Sequence, residues 1–424
     1  MPIAYLETYG CSANQSDSEI MAGLLSRAGF SVVTDESAAK ESDLLILNTC
    51  TVKAPTEQHA LFRIAELSKF RKPLIVAGCL AQTQPDRIHS LAPKASIVGT
   101  HAITNIANIA ARALEGERVE ELGEGGKKVC LPKIRRNPVI GIVQINEGCS
   151  GHCTFCGTKA ARGDLFSYPI EEIVREVAAA KAAGCKEFWL TSQDCGAYGL
   201  DNEKNLARLL KEITTKVAGK YFLRVGMANP TYVKLFANEL IEAFAHPNVF
   251  KFLHVPVQSG SDKVLKEMAR GHSVSDFTKI VAAFRKAHPQ IQIWTDIIVG
   301  YPTETEEDFR LSLELIEKIQ PDYVNVSRFG ARPGTAAAQL KPLKTEVLKD
   351  RSRRMSALCR TIALERNKKW LGWSGAVLVD EFNREKQNFV GRNFAYKPIV
   401  LRGKHQLGEI LEIKIKNAGQ VLFA

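Results

Sequence analysis

The first hundred residues alternate short apolar runs with amphipathic stretches: AYLETYGC, SEIMAGLLSRAGF, DLLILNTC, a helical pattern around ALFRIAELSKF, then PLIVAGC. Short apolar runs bounded by turn residues read as strands and the stretches between them as helices, so residues 1–115 form a small open α/β domain with a largely parallel sheet. From Pro138 onward strand and helix alternate six more times, through VIGIVQINEGC, EFWLTSQD, YFLRVGMANP, FKFLHVPVQSG, IQIWTDIIVGYP and YVNVSRFGARPGT. Six βα units over residues 138–343 make a partial parallel barrel, with chemistry expected at the carboxyl ends of its strands. Between these domains residues 116–137 lose the periodicity and gather glycine and charge, which marks a linker. A basic helix over residues 344–369 leads to residues 370–424, which read as four or five short strands forming a small β-barrel of oligonucleotide-binding type.

Composition changes this picture little. With 45% hydrophobic and 24% charged residues the chain is an ordinary folded one, and its 424 residues call for two or three domains. Charge changes it more, because residues 341–424 carry +10 of the net +11, from 18 Lys and Arg against 8 Asp and Glu. A basic end on a nearly neutral body suits nucleic-acid phosphates, whose counterions it displaces, although a solvated helix accounts for residues 341–369 equally well. The start, MPIAYLETYGC, has no basic region followed by an apolar run, and no stretch approaches 18 uninterrupted apolar residues. Ten cysteines are too few for a disulfide scaffold of this length. Together these features point to a cytoplasmic protein with reduced thiols and no membrane partner.

The strongest chemical signal is Cys149-Ser-Gly-His-Cys153-Thr-Phe-Cys156, following the first barrel strand. Three thiolates on one loop can hold three corners of a cubane iron–sulfur cluster and leave one iron open. An open iron can chelate the amino and carboxylate groups of S-adenosylmethionine and pass an electron to its sulfonium, releasing a 5′-deoxyadenosyl radical. The alternatives are three buried thiols or a zinc site, which would want a fourth ligand and has only His152 nearby. The Cys-x3-Cys-x2-Cys spacing, with an aromatic before the last cysteine, resembles the radical S-adenosylmethionine superfamily.

A second set, Cys11, Cys50 and Cys79, is scattered in sequence, but each stands at the carboxyl end of an expected strand, the edge at which open α/β sheets hold ligands. One buried cysteine at a strand end is commonplace. Three at one edge can hold a second cluster, whose free iron would carry a sulfur species. Cys130, Cys185, Cys195 and Cys359 match neither set and read as structural.

Essentially the whole chain resembles the methylthiotransferase family, through YGCSANQSDSE, LNTCTVKAPTEQ and VAGCLAQ in the first domain, EGCSGHCTFC and HVPVQSGSDKVLKEMARGHS in the barrel, DIIVGYPTETEEDF near its end, and a terminal segment similar to the TRAM domain. The resemblance implies two 4Fe–4S clusters and S-adenosylmethionine as cofactors. Cys149, Cys153 and Cys156 would ligate the radical-generating cluster, and Cys11, Cys50 and Cys79 the auxiliary one. It implies tRNA as substrate: one S-adenosylmethionine methylates sulfur at the auxiliary cluster, and a second yields the radical that takes hydrogen from adenine C2. GTKAARGDLFSYP, LTSQDCGAYG and RVGMANP are similar to the archaeal and eukaryotic members that modify threonylcarbamoyladenosine. Members acting on isopentenyladenosine usually carry a Val-Pro-x-x-Arg-Gly style of sequence after the last cluster cysteine, where this chain has Gly157-Thr158-Lys159. Eukaryotic members end in a hydrophobic anchor. This chain stops at Ala424 without one, so the expectation is an archaeal-type enzyme, a monomer served by an electron-donor protein and a sulfur donor.

Other residues carry weaker signals. Gln193 and Asp194, after the second barrel strand, can contact S-adenosylmethionine or merely cap the next helix. Arg224, His254 and Gln258 point from strand ends toward the expected cavity, as ligands or as members of an internal polar network. Gly300 and Pro302 in IIVGYP permit close approach of the cofactor. In the terminal barrel Arg392, Phe394, Tyr396 and Lys397 interleave charge and aromatic rings, a combination that stacks on bases and holds phosphates, or else an ordinary exposed hairpin. Three other functions compete: methylthiolation of a ribosomal protein, which the basic tail argues against; a cobalamin domain, whose Asp-x-His-x-x-Gly signature is absent because Asp86 and His89 are wrongly spaced; and a non-catalytic iron–sulfur RNA-binding or redox-sensing protein.

Overall fold

The computed structural model describes residues 1–51, 54–123 and 125–424. Val52 and Lys53 of the motif LNTCTVKAPTEQ, and Glu124 of the expected linker, lie outside the described residues. The amino-terminal sheet contains β1 (Ile3–Thr8), β2 (Ser31–Val33), β3 (Leu44–Thr49), β4 (Leu74–Gly78), β5 (Ser96–Val98) and β6 (Glu120–Glu121) in the order β2-β1-β3-β4-β5-β6. Every pairing in it is parallel. Helices α1 (Ser12–Arg27), α2 (Ala54–Ser68), α3 (Cys79–Thr83), α4 (Pro85–Leu91) and α5 (Ile106–Leu114) cover the two faces. Alternation along the strands divides the core: Leu44 and Ile46 join the layer with α1 and α5, while Leu45 and Leu47 join the layer with α2 and α4. The winding direction reverses between β1 and β3, so their carboxyl ends splay apart into a crevice.

The expected linker is a packed strap. Its residues Glu120 and Glu121 form the last strand of the first sheet, Val129 enters the core of the next domain, and Lys128 is 1% exposed. Glycine and charge signal irregular backbone in a sequence, but they do not reveal that Val119, Lys128 and Val129 of the segment are buried.

The six expected barrel strands are all present: β7 (Ile140–Gln144), then, beyond the short pair β8 (Asn146–Glu147) and β9 (Phe166–Ser167), β10 (Glu187–Thr191), β11 (Phe222–Val225), β12 (Phe252–His254), β13 (Gln292–Val299) and β14 (Tyr323–Arg328). β7, β10 and β11 form one parallel triplet and β12, β13 and β14 another, bridged by Leu223 and Val249. Between and after them run α6 (Thr158–Arg162), α7 (Ile170–Ala182), α8 (Leu206–Lys216), α9 (Pro230–Val233), α10 (Ala237–Phe244), α11 (Asp262–Glu267), α12 (Val274–Ala287), α13 (Glu306–Ile319) and the long α14 (Thr345–Lys368). Phe188, Leu190, Leu223, Val225 and Leu253 face the helices in one large core. Alternate residues such as Trp189, Arg224 and His254 therefore point into the barrel.

The terminal domain has six strands, β15 (Ser374–Asn383), β16 (Asn388–Arg392), β17 (Pro398–Leu401), β18 (Ile410–Lys414), β19 (Asn417–Ala418) and β20 (Leu422–Phe423), in the order β18-β15-β16-β17-β20-β19. They form a sheet curled into a half-barrel around Val377, Val379, Ile399 and Leu401. Among the described residues no helix is long and apolar enough to cross a membrane.

Candidate active site

Cys11, Cys50 and Cys79 follow β1, β3 and β4, three neighbouring strands at the crevice. Two glycines bring their loops together. Gly10 and Gly78, immediately before Cys11 and Cys79, have φ of +124° and +92°; a Cβ at Gly10 would lie 2.8 Å from Cys50 Cβ, and one at Gly78 only 2.3 Å from Asn48 Oδ1. Asn14, in the first turn of α1, stands between the thiols: its Oδ1 is 3.8 Å from Cys11 Sγ and 3.7 Å from Cys79 Sγ, and its Nδ2 donates to the Tyr9 and Thr49 carbonyls.

The loop Cys149–Cys156 crosses the barrel mouth. Thr154 ties it down by hydrogen bonds to the Met268 and Glu267 carbonyls and to the Tyr301 hydroxyl. Its sulfurs already meet donors: the Gly151 N–H reaches Cys149 Sγ at 3.2 Å, the Thr158 N–H reaches Cys156 Sγ at 3.4 Å, and Arg270 Nη1 lies 3.4 Å from Cys153 Sγ. Donors of this kind favour thiolate sulfur. Burial nevertheless pushes the Cys149 thiol up to about 11 and raises Cys79, a penalty that an iron cluster's positive charge reverses. Among the described residues no three His, Cys, Asp or Glu side chains close on one point as a single-ion site requires. A cubane takes its thiolates at separate iron corners, so its ligands need not close on one point.

A buried ionic network ties the first set to the segments on either side of the radical loop. Arg162, at the end of α6, is 1% exposed; it donates to Asn14 Oδ1 at 2.8 Å and pairs with Asp17 at 2.7 Å, while Cys11 and Cys79 lie within its electrostatic reach. Lys128 of the strap pairs with Asp17 at 3.3 Å and with Glu147 at 2.7 Å, and Glu147 also takes the Tyr168 hydroxyl. Gln144 closes the ring on Asp17 at 2.8 Å. Ser12, beside Cys11, touches Thr191 at the end of β10, so both thiol sets open at the same mouth. Sequence reading missed Arg162, Asn14, Asp17 and Arg270. An asparagine three residues after Cys11 and an arginine six after Cys156 were visible in the chain, but only their burial beside the thiols gives them meaning.

The weaker expectations divide. Gln193 and Gln258 each hold a buried Oε1 without a hydrogen-bond partner, and Gln258 has φ of +75°, which a glutamine rarely adopts. Both stand at strand ends beside the radical loop and offer free acceptors to a ligand's N–H or O–H. Asp194 is occupied as a cap: it accepts from the Gly196 and Asn229 N–H groups at 3.0 Å, with its acid raised to about 6 by burial. His254 belongs to an internal network, 3.1 Å from Asp296, which Asn325 also contacts. Gly300 does not open space for a cofactor: a Cβ there would meet Leu348 of α14 at 2.7 Å, so this glycine admits the helix, and its neighbour Pro302 is only half-buried.

Arg224 and the four residues expected to bind RNA meet in one place, and it is not a free surface. Arg224 stacks over Trp189, Phe252 and Tyr396, within 5.2–5.4 Å of each ring. Tyr396 is 5% exposed against Phe250 and Phe252; Arg392 lies on Tyr396 and pairs with Asp380; Phe394 packs on Trp370 and Trp373; and Lys397 is 5% exposed. The Phe394 carbonyl also accepts from the Lys251 N–H. These residues form the joint between terminal sheet and barrel. Charge interleaved with aromatic rings suits a cation–π joint as well as it suits bases, and sequence alone does not separate the two.

The barrel and its three-thiol loop define a radical S-adenosylmethionine protein. The sequence profile of the Radical SAM superfamily matches residues 143–316, and that of the uncharacterized protein family UPF0004 matches residues 4–99. The chain is 41% identical to the probable threonylcarbamoyladenosine tRNA methylthiotransferase of Pyrococcus horikoshii over 98% of its own length and 96% of that protein. It is 37% identical to the threonylcarbamoyladenosine tRNA methylthiotransferase of Homo sapiens, over 98% of this chain and 72% of that one. The chain belongs to the threonylcarbamoyladenosine tRNA methylthiotransferase family of radical S-adenosylmethionine enzymes, whose chemistry uses 4Fe–4S clusters and S-adenosylmethionine.

Among solved structures, the radical S-adenosylmethionine methyltransferase TsrM from Kitasatospora setae, with cobalamin and a 4Fe–4S cluster bound, superposes with a TM-score of 0.58 at 14% identity, over 80% of this chain and 77% of that one. The cobalamin-dependent radical enzyme OxsB gives 0.56 at 11% identity, over 84% and 56%. These likenesses concern the fold alone. In this chain the sheet edge carries three cysteines, and His89 lies on α4, bonded to Glu120 at 3.0 Å.

Proposed function

We propose that the protein places a methylthio group at C2 of N6-threonylcarbamoyladenosine beside the anticodon of tRNA, using two 4Fe–4S clusters. The observation that supports this reading is the contact of Ser12, beside Cys11, with Thr191 at the mouth of the barrel that bears the Cys149–Cys156 loop. Cys149, Cys153 and Cys156 hold one cluster and Cys11, Cys50 and Cys79 the other. When bound, the clusters and S-adenosylmethionine supply the one-electron chemistry and the methylated sulfur that replace an unactivated C2 hydrogen, which acid–base side chains cannot do. Gln193 and Gln258 orient the cofactor through their free acceptors. Arg162 offsets negative charge at Cys11 and Cys79 while Asn14 spaces them, and Arg270 does the same for Cys153. The strap carrying Lys128 excludes water from beneath both sets.

The protein works in the reducing cytoplasm as a monomer with a protein electron donor and a sulfur source, in keeping with a cysteine content too low for a disulfide scaffold of this length. The test is an anaerobic assay with reconstituted protein, dithionite, sulfide and S-adenosylmethionine on tRNA carrying either threonylcarbamoyl- or isopentenyladenosine, read by nucleoside mass spectrometry. Methylthiolation of the first alone is expected. Modification of the second alone overturns the substrate, and release of 5′-deoxyadenosine with neither product overturns the transfer.

A further inference from the structure

One cavity lies away from the cysteines. It has a volume of about 400 Å³ and lies where β13 and β14, α14 and the terminal sheet meet. Two donors on its wall lack acceptors. Gln292, 1% exposed at the start of β13, holds a buried Nε2 without a hydrogen-bond partner. Lys397, 5% exposed, has no carboxylate within ion-pair distance among the described residues, because its neighbour Asp322 is engaged by both nitrogens of an Arg366 fork at 3.0 and 3.1 Å. An unpaired buried amide donor is costly, and an anion that fills the cavity would relieve that cost while meeting the Lys397 ammonium.

The rest of the wall narrows the class of anion. Trp294 and Tyr323 line it as a ring pair with centroids 4.6 Å apart, and Tyr323 remains 47% exposed, so one aromatic face is open at the rim. Arg360 of α14 adds a second cation there. An ammonium and an amide N–H at depth with an open aromatic ring above fit a phosphate that carries a planar base. Lys397 thus keeps a phosphate-binding chemistry in spite of its burial, while its sequence neighbours Phe394 and Tyr396 are consumed by the joint.

We infer that this cavity is a nucleotide subsite in which Lys397 and Gln292 hold a phosphate and Tyr323 stacks on a base. The nucleotide is either one residue of an RNA strand or a free nucleoside monophosphate. The RNA source rests on the tRNA reading, whereas the free-nucleotide source does not.

The experiment uses the whole reconstituted protein and three probes: adenosine monophosphate, inorganic phosphate, and an anticodon stem-loop RNA. Binding is read by tryptophan fluorescence and by affinity against salt, for the native protein, Lys397→Met, Gln292→Leu and the rim variant Tyr323→Ala. If the occupant is RNA, stem-loop affinity falls about 10-fold in Lys397→Met, the slope of log affinity against log salt drops by about one, and adenosine monophosphate is ignored. If it is a free nucleotide, adenosine monophosphate quenches Trp294, the quench vanishes in Trp294→Phe, and Lys397→Met weakens it about 10-fold. Tyr323→Ala, whose exposed ring is not needed for folding, weakens adenosine monophosphate but not inorganic phosphate. Unchanged affinities for all three probes in Tyr323→Ala and in whichever buried variant folds mean a water-filled joint and overturn the subsite. They leave methylthiolation untouched, so failure here is distinct from failure of the proposed function.

Discussion

The two thiol sets reach the same mouth by opposite routes. Cys149, Cys153 and Cys156 lie within eight residues on one loop, and local chain geometry alone keeps them together. Cys11, Cys50 and Cys79 span 69 residues and meet only because β1, β3 and β4 are neighbours and two left-handed glycines let the following turns approach. The first site is a local motif presented by a barrel, whereas the second is a product of sheet topology. The second should therefore be the more sensitive to anything that moves the domains, and Arg162 is where that sensitivity concentrates, since it belongs to the radical loop's own segment but lies beneath the other set.

The largest expected effect separates the two sites. Cys149→Ala should abolish both 5′-deoxyadenosine formation and methylthiolation and remove about half the iron of the reconstituted protein. Cys79→Ala should also lose about half the iron and all methylthiolation, yet keep cleavage of S-adenosylmethionine. Full iron in Cys79→Ala, counted after anaerobic reconstitution, would break the comparison by leaving the first domain without a cluster.

Next in size is the bridge. Arg162→Met leaves Asp17 buried beside Lys128 alone, and removing one partner of such a network costs about 3–5 kcal/mol. The double variant Asp17→Asn with Arg162→Met should recover part of that loss in thermal unfolding. In the double variant the signal of the auxiliary cluster in electron paramagnetic resonance should shift while that of the radical cluster stays in place. Equal shifts in both would show that Arg162 acts on the fold and not on one site.

The smallest effect concerns the joint beneath the barrel. Burial holds the Glu187 acid up at about 8, with the Asp380 carboxylate adding to the rise. The folded state therefore binds a proton that the unfolded chain releases from its ordinary 4.5, so this contribution is complete at low pH and is lost as pH rises through the window from 4.5 to about 8. Glu187→Gln, which cannot ionise, should flatten the melting-temperature profile between pH 4.5 and about 8 without altering iron content. A parallel decline in both proteins would place the titration elsewhere.

How much of this was legible in the chain follows from the range of the interactions. The strands of β1, β3, β4 and all six barrel strands were readable because apolar runs and their bounding turns are local. The radical loop was readable for the same reason. The convergence of Cys11, Cys50 and Cys79 followed one step later, from the rule that ligands meet strand carboxyl ends. Gly300 was misread because a glycine announces a close approach without naming what approaches, here Leu348. Arg392, Phe394 and Tyr396 were misread because the same residue types suit a wet RNA surface and a dry cation–π joint.

By itself, then, the sequence determined the order of domains, the strands, the two sets of thiols and the excess of positive charge at the carboxyl end, all properties of neighbours along the chain. Only the tertiary structure decided that Lys128 and Val129 of the strap are buried, that Asn14 stands between two of the thiols with Arg162 behind it, that the aromatic and basic residues of the terminal sheet close a joint, and that Lys397 faces a cavity. Burial depends on which surface meets which, and contacts between residues more than a hundred positions apart leave no periodicity in the chain to be read.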